Sequence, residues 1–312
     1  MKSEKVKVQL KWTPSAQFSG ILVALQKGFF KQEGIDVELI PGGPGVTIEN
    51  RLADKTADIG ISSLDSLMVY DEKGFQLVSI AQIHQKSSMG LVTFRSSGID
   101  TPARMAGKKI GTFDGSNQFQ LLAFLNKYHL THNVELILQP SINDFLSGKV
   151  DVGIFTTYYG LQTLIEEGAS KTDLNFFIFK YEGVGMLQDT IIVRKQWLEN
   201  HRDLAIRFVR AVLKGWRFSI RHPKEAANIV IKYVPEGSTT AAFQLRMLRV
   251  LRGILMPTGF GPCDIGRFNR ASVQKTADIL FKYDLVRHPV PIRKVIRPSI
   301  VEEALKDCKE SI

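Results

Sequence analysis

Hydrophobic positions alternate with lysine and glutamine over residues 6–10, the period of a strand with one buried face, and Trp12-Thr13-Pro14-Ser15 then supplies turn and helix-start residues. Phe18, Ile21, Leu22, Leu25 and Phe29 follow at the 3.6-residue period, so a helix is predicted there. Gly28 and Gly34 punctuate its end before a strand at 35–40. Pro41-Gly42-Gly43-Pro44-Gly45 is too rich in turn formers to be regular. Beyond it the pattern gives a short helix at 46–53, a strand at 58–61, a helix at 63–72 and a strand at 76–83. Such βαβ alternation predicts a mostly parallel sheet with right-handed crossovers.

A second run of the same kind spans residues 103–180, with strands at 109–113, 134–138 and 150–155 and helices at 119–129 and 143–146. The halves also echo each other, since LADKTADIGIS (52–62) and FLSGKVDVGIF (145–155) each place a helix end, a lysine-bearing turn and then Asp-apolar-Gly-Ile. After a strand at 190–193 the pattern is helical throughout, at 197–221, 224–233, 239–255 and 272–283. Helices without a sheet of their own need one to cover, so this tail is expected to return to the first sheet. The expected architecture is therefore α/β with two lobes, one built from residues 1–90 plus 191–312 and the other from 91–190. The chain crosses between them near 88–95 and 188–194, leaving a cleft suited to a ligand.

No apolar run approaches the ~20 residues that span a bilayer. The net charge of +10 is uneven: residues 1–193 hold 18 Lys/Arg against 20 Asp/Glu, and 194–312 hold 23 against 11. Arg207, Arg210, Lys214, Arg217 and Arg221 fall on one helical stripe, opposite Phe208, Val209, Val212, Leu213 and Trp216. The stripe reads either as the solvated face of a covering helix or as a docking face for an acidic partner or anionic lipid; no nucleic-acid motif accompanies it. Cys263 and Cys308 allow at most one bridge, and the sequence does not say whether they meet. Residues 1–5 show none of the apolar stretch of a secretory signal, so the expectation is either a cytosolic protein or one whose signal lies outside this sequence.

Several segments together carry a resemblance: VQLKWTPSAQFSGILVALQKGFFKQEGIDVELIPGG (8–43), RLADKTADIGISSLDSL (51–67), MAGKKIGTFDGSNQF (105–119), FLSGKVDVGIF (145–155) and YEGVGMLQDTIIVRKQWLENH (181–201). They resemble the thiamine-pyrimidine-precursor branch of the type II periplasmic binding proteins. The resemblance implies the soluble, monomeric recognition component of an ABC importer, working with a membrane permease. It implies a periplasmic or surface-anchored location, a small planar heterocycle as ligand, no cofactor, no metal and no catalysis. Relatives that take riboflavin, sulfonates or nitrate-like anions keep the ligand open.

In that fold strand ends and helix N-termini point into the cleft. Trp12, with Gln17 and Phe18 beside it, follows the first strand; its indole either stacks on a planar ligand or packs as core behind the helix. Ser62, Ser63 and Asp65 follow the strand at 58–61, where the serines either face the ligand or cap the next helix. Gly115, Ser116 and Asn117 open a helix whose free N–H groups can accept an oxygen. Tyr158 and Tyr159 either oppose Trp12 or pack on their own lobe. Gln188 and Asp189 precede the returning strand, where the resemblance implies an acid on the ligand's amine, with bracing of the hinge as the other reading.

The fungal pyrimidine synthase shares this resemblance and is an enzyme. It carries a histidine where Asp65 stands here and a cysteine-rich stretch where this chain reads EGVGMLQDT (182–190). The six histidines show no metal-ligand spacing beyond the pair His129 and His132 at a helix end, and no Gly-x-Ser-x-Gly elbow or phosphate loop occurs. A binding function is therefore expected over an enzymatic one.

Overall fold

The computed structural model describes residues 3–308. Its ten strands are β1 (Glu4–Gln9), β2 (Ile35–Ile40), β3 (Ile59–Ser62), β4 (Leu77–Gln82), β5 (Met89–Phe94), β6 (Lys109–Thr112), β7 (Glu135–Leu138), β8 (Gly153–Thr156), β9 (Leu174–Ile178) and β10 (Thr190–Arg194). Between and after them lie α1 (Ser19–Gln26), α2 (Phe29–Gln32), α3 (Ile48–Ala53), α4 (Leu64–Glu72), α5 (Phe119–Lys127), α6 (Asn143–Leu146), α7 (Gly160–Glu166), α8 (Lys195–Asn200), α9 (Arg202–Arg221), α10 (Pro223–Ile231), α11 (Ala241–Leu255), α12 (Arg270–Lys282), α13 (Ile292–Val295) and α14 (Pro298–Ala304).

One sheet has the order β2-β1-β3-β10-β4, with β10 antiparallel to both neighbours and β1 parallel to β2 and β3. In the second, β8-β5-β9 and β6-β7 are joined where Ile110 bridges Val152 in parallel, giving the run β7-β6-β8-β5-β9. Both sheets thus repeat one plan, in which the strand laid down just after each crossing runs against the other four. All six residues of β4 and the first four of β10 are buried, as continuous apolar strands covered by helices on both faces must be.

The pattern missed β5 and β9. Met-Gly-Leu-Val-Thr-Phe and Leu-Asn-Phe-Phe-Ile are short runs without polar alternation, and the first coincides with a crossing segment. Where one helix was expected after Trp12 there are three pieces: a 3₁₀ turn at Ala16–Phe18, then α1, then α2. Gly28 separates the last two at φ +71°, a value that favours glycine. The expected helix 197–221 is likewise broken at His201 into α8 and α9.

The tail covers the first sheet, with α9 on α1 and α14 against α9 and β4, while α12 reaches both α4 and α5 and α11 reaches α7. Phe208, Val209, Val212, Leu213 and Trp216 form the buried side of α9. Much of the basic stripe is held within the same lobe: Arg207 binds Glu4, Asp203 and the Glu33 carbonyl, Arg210 binds Glu33 at 2.8 Å, and Lys214 donates to Gln32 at 2.7 Å.

At the crossing of α1 and α9 the backbones touch. A Cβ on Gly215 would lie 1.9 Å from the Gly20 carbonyl oxygen, and one on Gly20 would lie 2.3 Å from the Trp216 ring. Ser19 and Ser219 close the same crossing with a 2.8 Å hydrogen bond between hydroxyls. Cys263 and Cys308 form a disulfide across 45 residues of sequence, tying the end of the tail to the loop before α12. Closing a loop of this length restricts the unfolded chain by about 4 kcal/mol in the chain-entropy description.

Two outcomes follow for stability. An alanine ordinarily improves a helix interior by about 0.5–1 kcal/mol over glycine, but overpacking against rigid backbone costs about 1–3 kcal/mol. Gly215→Ala is therefore expected to lower the midpoint of chemical denaturation, and an unchanged or raised midpoint contradicts the close crossing. Reduction of the disulfide is expected to lower the melting temperature by about 5–10 °C, and Cys308→Ser should reproduce that shift and abolish the response to reductant.

Candidate ligand-binding cleft

Four strand ends converge on one cleft of about 640 Å³, part of it open to solvent: those of β1 in the first sheet and of β6, β7 and β8 in the second. From β1 come Lys11, Trp12, Ser15 and Gln17; from β6, Phe113 and Asn117; from β7, Gln139 to Ile142; and from β8, Thr156, Tyr158 and Tyr159. Met89 and Gln188, from the two crossings, complete the wall with Ile154, Phe155 and Gly160.

The loop 41–43 fixes the β1 end. Gly42 donates to the Trp12 carbonyl at 3.1 Å and lies so close that a Cβ would fall 2.2 Å from the Leu10 oxygen. That anchorage holds the Trp12 indole across the gap, edge-on to Phe113 with centroids 5.9 Å apart. Ser15 accepts the Gln17 N–H as the cap of the following 3₁₀ turn and aims Gln17 inward.

Beneath the cleft lies a buried polar cluster. Lys11 Nζ meets Asp189 Oδ1 at 2.6 Å and donates to Ser63 Oγ at 3.1 Å; Gln17 Nε2 donates to both Asp189 oxygens at 3.0 and 3.2 Å. His84 stands 3.6 Å from the same carboxylate and edge-on to Tyr158, and neither of its ring nitrogens has a hydrogen-bond partner. Burial lowers the His84 pKa to about 4, against the pull of Asp189 and with the push of Lys11. Burial works to raise the Asp189 carboxyl, but His84, Lys11 and the Gln17 hydrogen bond together hold it below the ordinary carboxylate range. Because His84 is neutral above about pH 4, Lys11 is the cation that matters there. Asp65, also buried, is raised by desolvation to about 7 although the Ser66 N–H binds its Oδ1 at 2.9 Å. Tyr158 is raised well above its usual value by burial and by Asp189.

Of the residues expected from sequence, Trp12, Gln17, Asn117, Tyr158, Tyr159 and Gln188 line the cleft. The others stand outside its lining. Phe18 is core, Ser63 receives Lys11, Asp65 takes the Ser66 N–H in the first turn of its own helix, and Asp189 is engaged by Lys11 and Gln17. Ser62 and Ser116, from the two lobes, donate to the two oxygens of buried Glu49 at 2.5 and 2.6 Å, and Gly115 sits against the Val46 carbonyl at φ +59°. Sequence reasoning passed over Lys11, Phe113, Gln139 and Thr156. Each lies at the end of a strand already recognised, so the rule that picked Trp12, applied to every strand, would have found them.

The model of the NMT1/THI5-like family matches residues 15–226. A thiamine biosynthesis protein of Haemophilus influenzae is 28% identical over 78% of this chain and 77% of its own. The formylaminopyrimidine-binding protein of Halalkalibacterium halodurans is 23% identical over 75% and 72%. The 4-amino-5-hydroxymethyl-2-methylpyrimidine phosphate synthase of Uromyces fabae is 24% identical over 77% and 74%. Among solved structures, the alkanesulfonate-binding protein SsuA of Xanthomonas axonopodis pv. citri superposes with a TM-score of 0.72 at 13% identity, covering 95% of this chain and 99% of that one. The repeated five-strand plan is thus that of the periplasmic binding proteins, and with two thirds of its length matched by one family model the chain belongs to the NMT1/THI5-like family.

Proposed function

We propose that this protein is the solute-binding component of an ABC importer and that it holds a small, uncharged, planar heterocycle of the thiamine-pyrimidine class between its lobes. One observation carries the reading: Lys11, the charged side chain in the cleft lining, is neutralised at 2.6 Å by buried Asp189, so the wall offers aromatic faces and carboxamides but no spare cation. A sulfonate or nitrate would bring an unmatched anion into that space, which is expensive without a partner. Trp12, Phe113, Phe155 and Tyr158 suit a flat ring instead. The names of the pyrimidine-binding and pyrimidine-synthesising relatives agree with this class.

Synthesis of a pyrimidine by this chain has less support. The position where the synthase resemblance calls for a histidine holds Asp65, whose carboxyl is turned to the Ser66 N–H and lies outside the cleft lining. The Cys263–Cys308 bridge favours an oxidising compartment, in keeping with a protein working outside the cytoplasm beside a membrane permease.

Trp12→Ala is expected to weaken binding of 4-amino-2-methylpyrimidine by roughly 5–150-fold in calorimetry, the range of a lost stacking platform of about 1–3 kcal/mol, while Lys214→Ala on the outer face leaves affinity unchanged. Wild-type affinity in Trp12→Ala places the ligand elsewhere. Because one ligand must touch residues of both lobes, saturating ligand is expected to reduce the radius of gyration in small-angle scattering, and no change counts against closure on the solute.

The buried acid and histidine set opposite pH slopes. Between about pH 4 and 6.5 the folded chain keeps His84 neutral while the unfolded chain protonates it, so this group's contribution falls as pH drops. Over the same window folded Asp65 keeps a proton that the unfolded chain has released, so its contribution falls as pH rises toward about 7. The two nearly cancel. Asp65→Asn is thus expected to turn a flat stability profile into one that rises by up to about 1.4 kcal/mol per pH unit from pH 4 to 6.5, measured by denaturant titration; a variant profile as flat as wild type rejects the assignment.

A further inference from the structure

Two carboxamides in the cleft wall have their orientations imposed from behind. Gln17 places its nitrogen 3.0 and 3.2 Å from the two oxygens of Asp189; the reverse orientation would set a carbonyl oxygen against a carboxylate, so Nε2 must be the atom facing inward. No described residue donates to Gln17 Oε1, which is left to the cleft. Gln188 is fixed the opposite way. Its Oε1 accepts both the backbone N–H of Ser88 at 2.9 Å and the Ser88 hydroxyl at 2.7 Å, and a backbone N–H can only donate. Gln188 Nε2, with no acceptor among the described residues, is therefore the end turned to the cleft. Both glutamines are at most 6% exposed, so a ligand that fails to pair with them strips water from these atoms without replacing it.

We propose that the cleft reads its solute through one fixed acceptor, Gln17 Oε1, and one fixed donor, Gln188 Nε2, and so selects a ligand offering both an N–H donor and an unprotonated acceptor. This deepens the heterocycle reading above and rests on it. An aminopyrimidine meets the requirement through its exocyclic amine and a ring nitrogen. A sulfonate, which only accepts, leaves Gln17 Oε1 unpaired. Asp189 is a positioning residue in this scheme, acting on the ligand through Gln17, and Ser88 does the same through Gln188.

Three nearly isosteric probes separate the parts, with the wild-type protein in calorimetry. They are 4-amino-2-methylpyrimidine, 2-methylpyrimidine, which lacks the donor, and 3-methylaniline, which lacks the ring acceptors. The first is expected to bind about tenfold or more tightly than either of the others. Gln188→Glu keeps an oxygen for Ser88 and puts an acceptor where the donor stood. It is expected to weaken the aminopyrimidine by about tenfold or more while leaving 3-methylaniline unweakened, so their ratio collapses or inverts. Binding of all three probes within about threefold keeps a heterocycle ligand and overturns the donor–acceptor pairing alone. If none of the three binds and methanesulfonate does, both the functional reading and this inference fall. The comparison on the wild-type protein decides the question even if Gln188→Glu does not fold.

Discussion

The arrangement depends on one buried ion pair, that of Lys11 with Asp189. Two charges taken from water carry a desolvation penalty of several kcal/mol each, and their attraction offsets it only when the remaining hydrogen bonds are made. Here they are made by Ser63 and Gln17. Lys11 follows β1, Ser63 follows β3, and Asp189 precedes β10, so the pair ties together the ends of three adjacent strands directly under the cleft. Removing one partner alone would strand the other in a dry site, a loss of about 3–5 kcal/mol. The same pair leaves the binding surface electrically neutral and turns Gln17 to face the ligand. Stability of the first sheet and chemistry of the cleft are therefore set by the same atoms.

The two lobes are held around that floor from both sides. In the interior, buried Glu49 takes hydrogen bonds from Ser62 of its own lobe and Ser116 of the other. Nearer the surface α7 meets α11 through Glu166 with Arg246 and through Tyr159 edge-on to Phe243. Each clamp is polar or edge-on aromatic, and beside them one apolar cluster runs on through both lobes, from Ile48, Leu64, Leu67 and Met68 to Leu121, Phe124 and Met186. The exposed pair of Glu166 with Arg246 can be exchanged for water at modest expense, whereas the buried Glu49 bonds and the shared apolar cluster cannot.

Most of the architecture was legible because burial leaves a period. The βα alternation before residue 83 and the strand-free helical tail were visible in the spacing of Phe18, Ile21, Leu22 and Leu25 and of Phe208, Val209 and Val212. What escaped were elements whose environment erases the period. β5 is buried almost throughout, so its residues are apolar on both faces, and its six residues fit a buried strand no better than a linker. The site divides along a similar line. Trp12 and the tyrosines follow from strand ends, but which of Gln17, Gln188 and Asp189 touches a ligand depends on a third partner, Lys11 or Ser88, lying far off in sequence. A linear reading names such residues and cannot order them in depth.

The antiparallel strands also bear on how the chain assembles. β10 lies between β3 and β4, yet it is laid down more than 100 residues after them, with the whole second sheet in between. The second sheet draws only on residues 89–178 and can close as soon as that stretch is available. The first cannot: until β10 arrives, β4 has no neighbour and the ends of β1 and β3 lack the carboxylate that neutralises Lys11. Loop closure over such a span is slow. The N-terminal half of the first lobe must therefore wait, with strand edges open, until residues 190–194 have emerged. The sheet begun first is thus the one finished last, and its strand edges stay open to pairing through that interval.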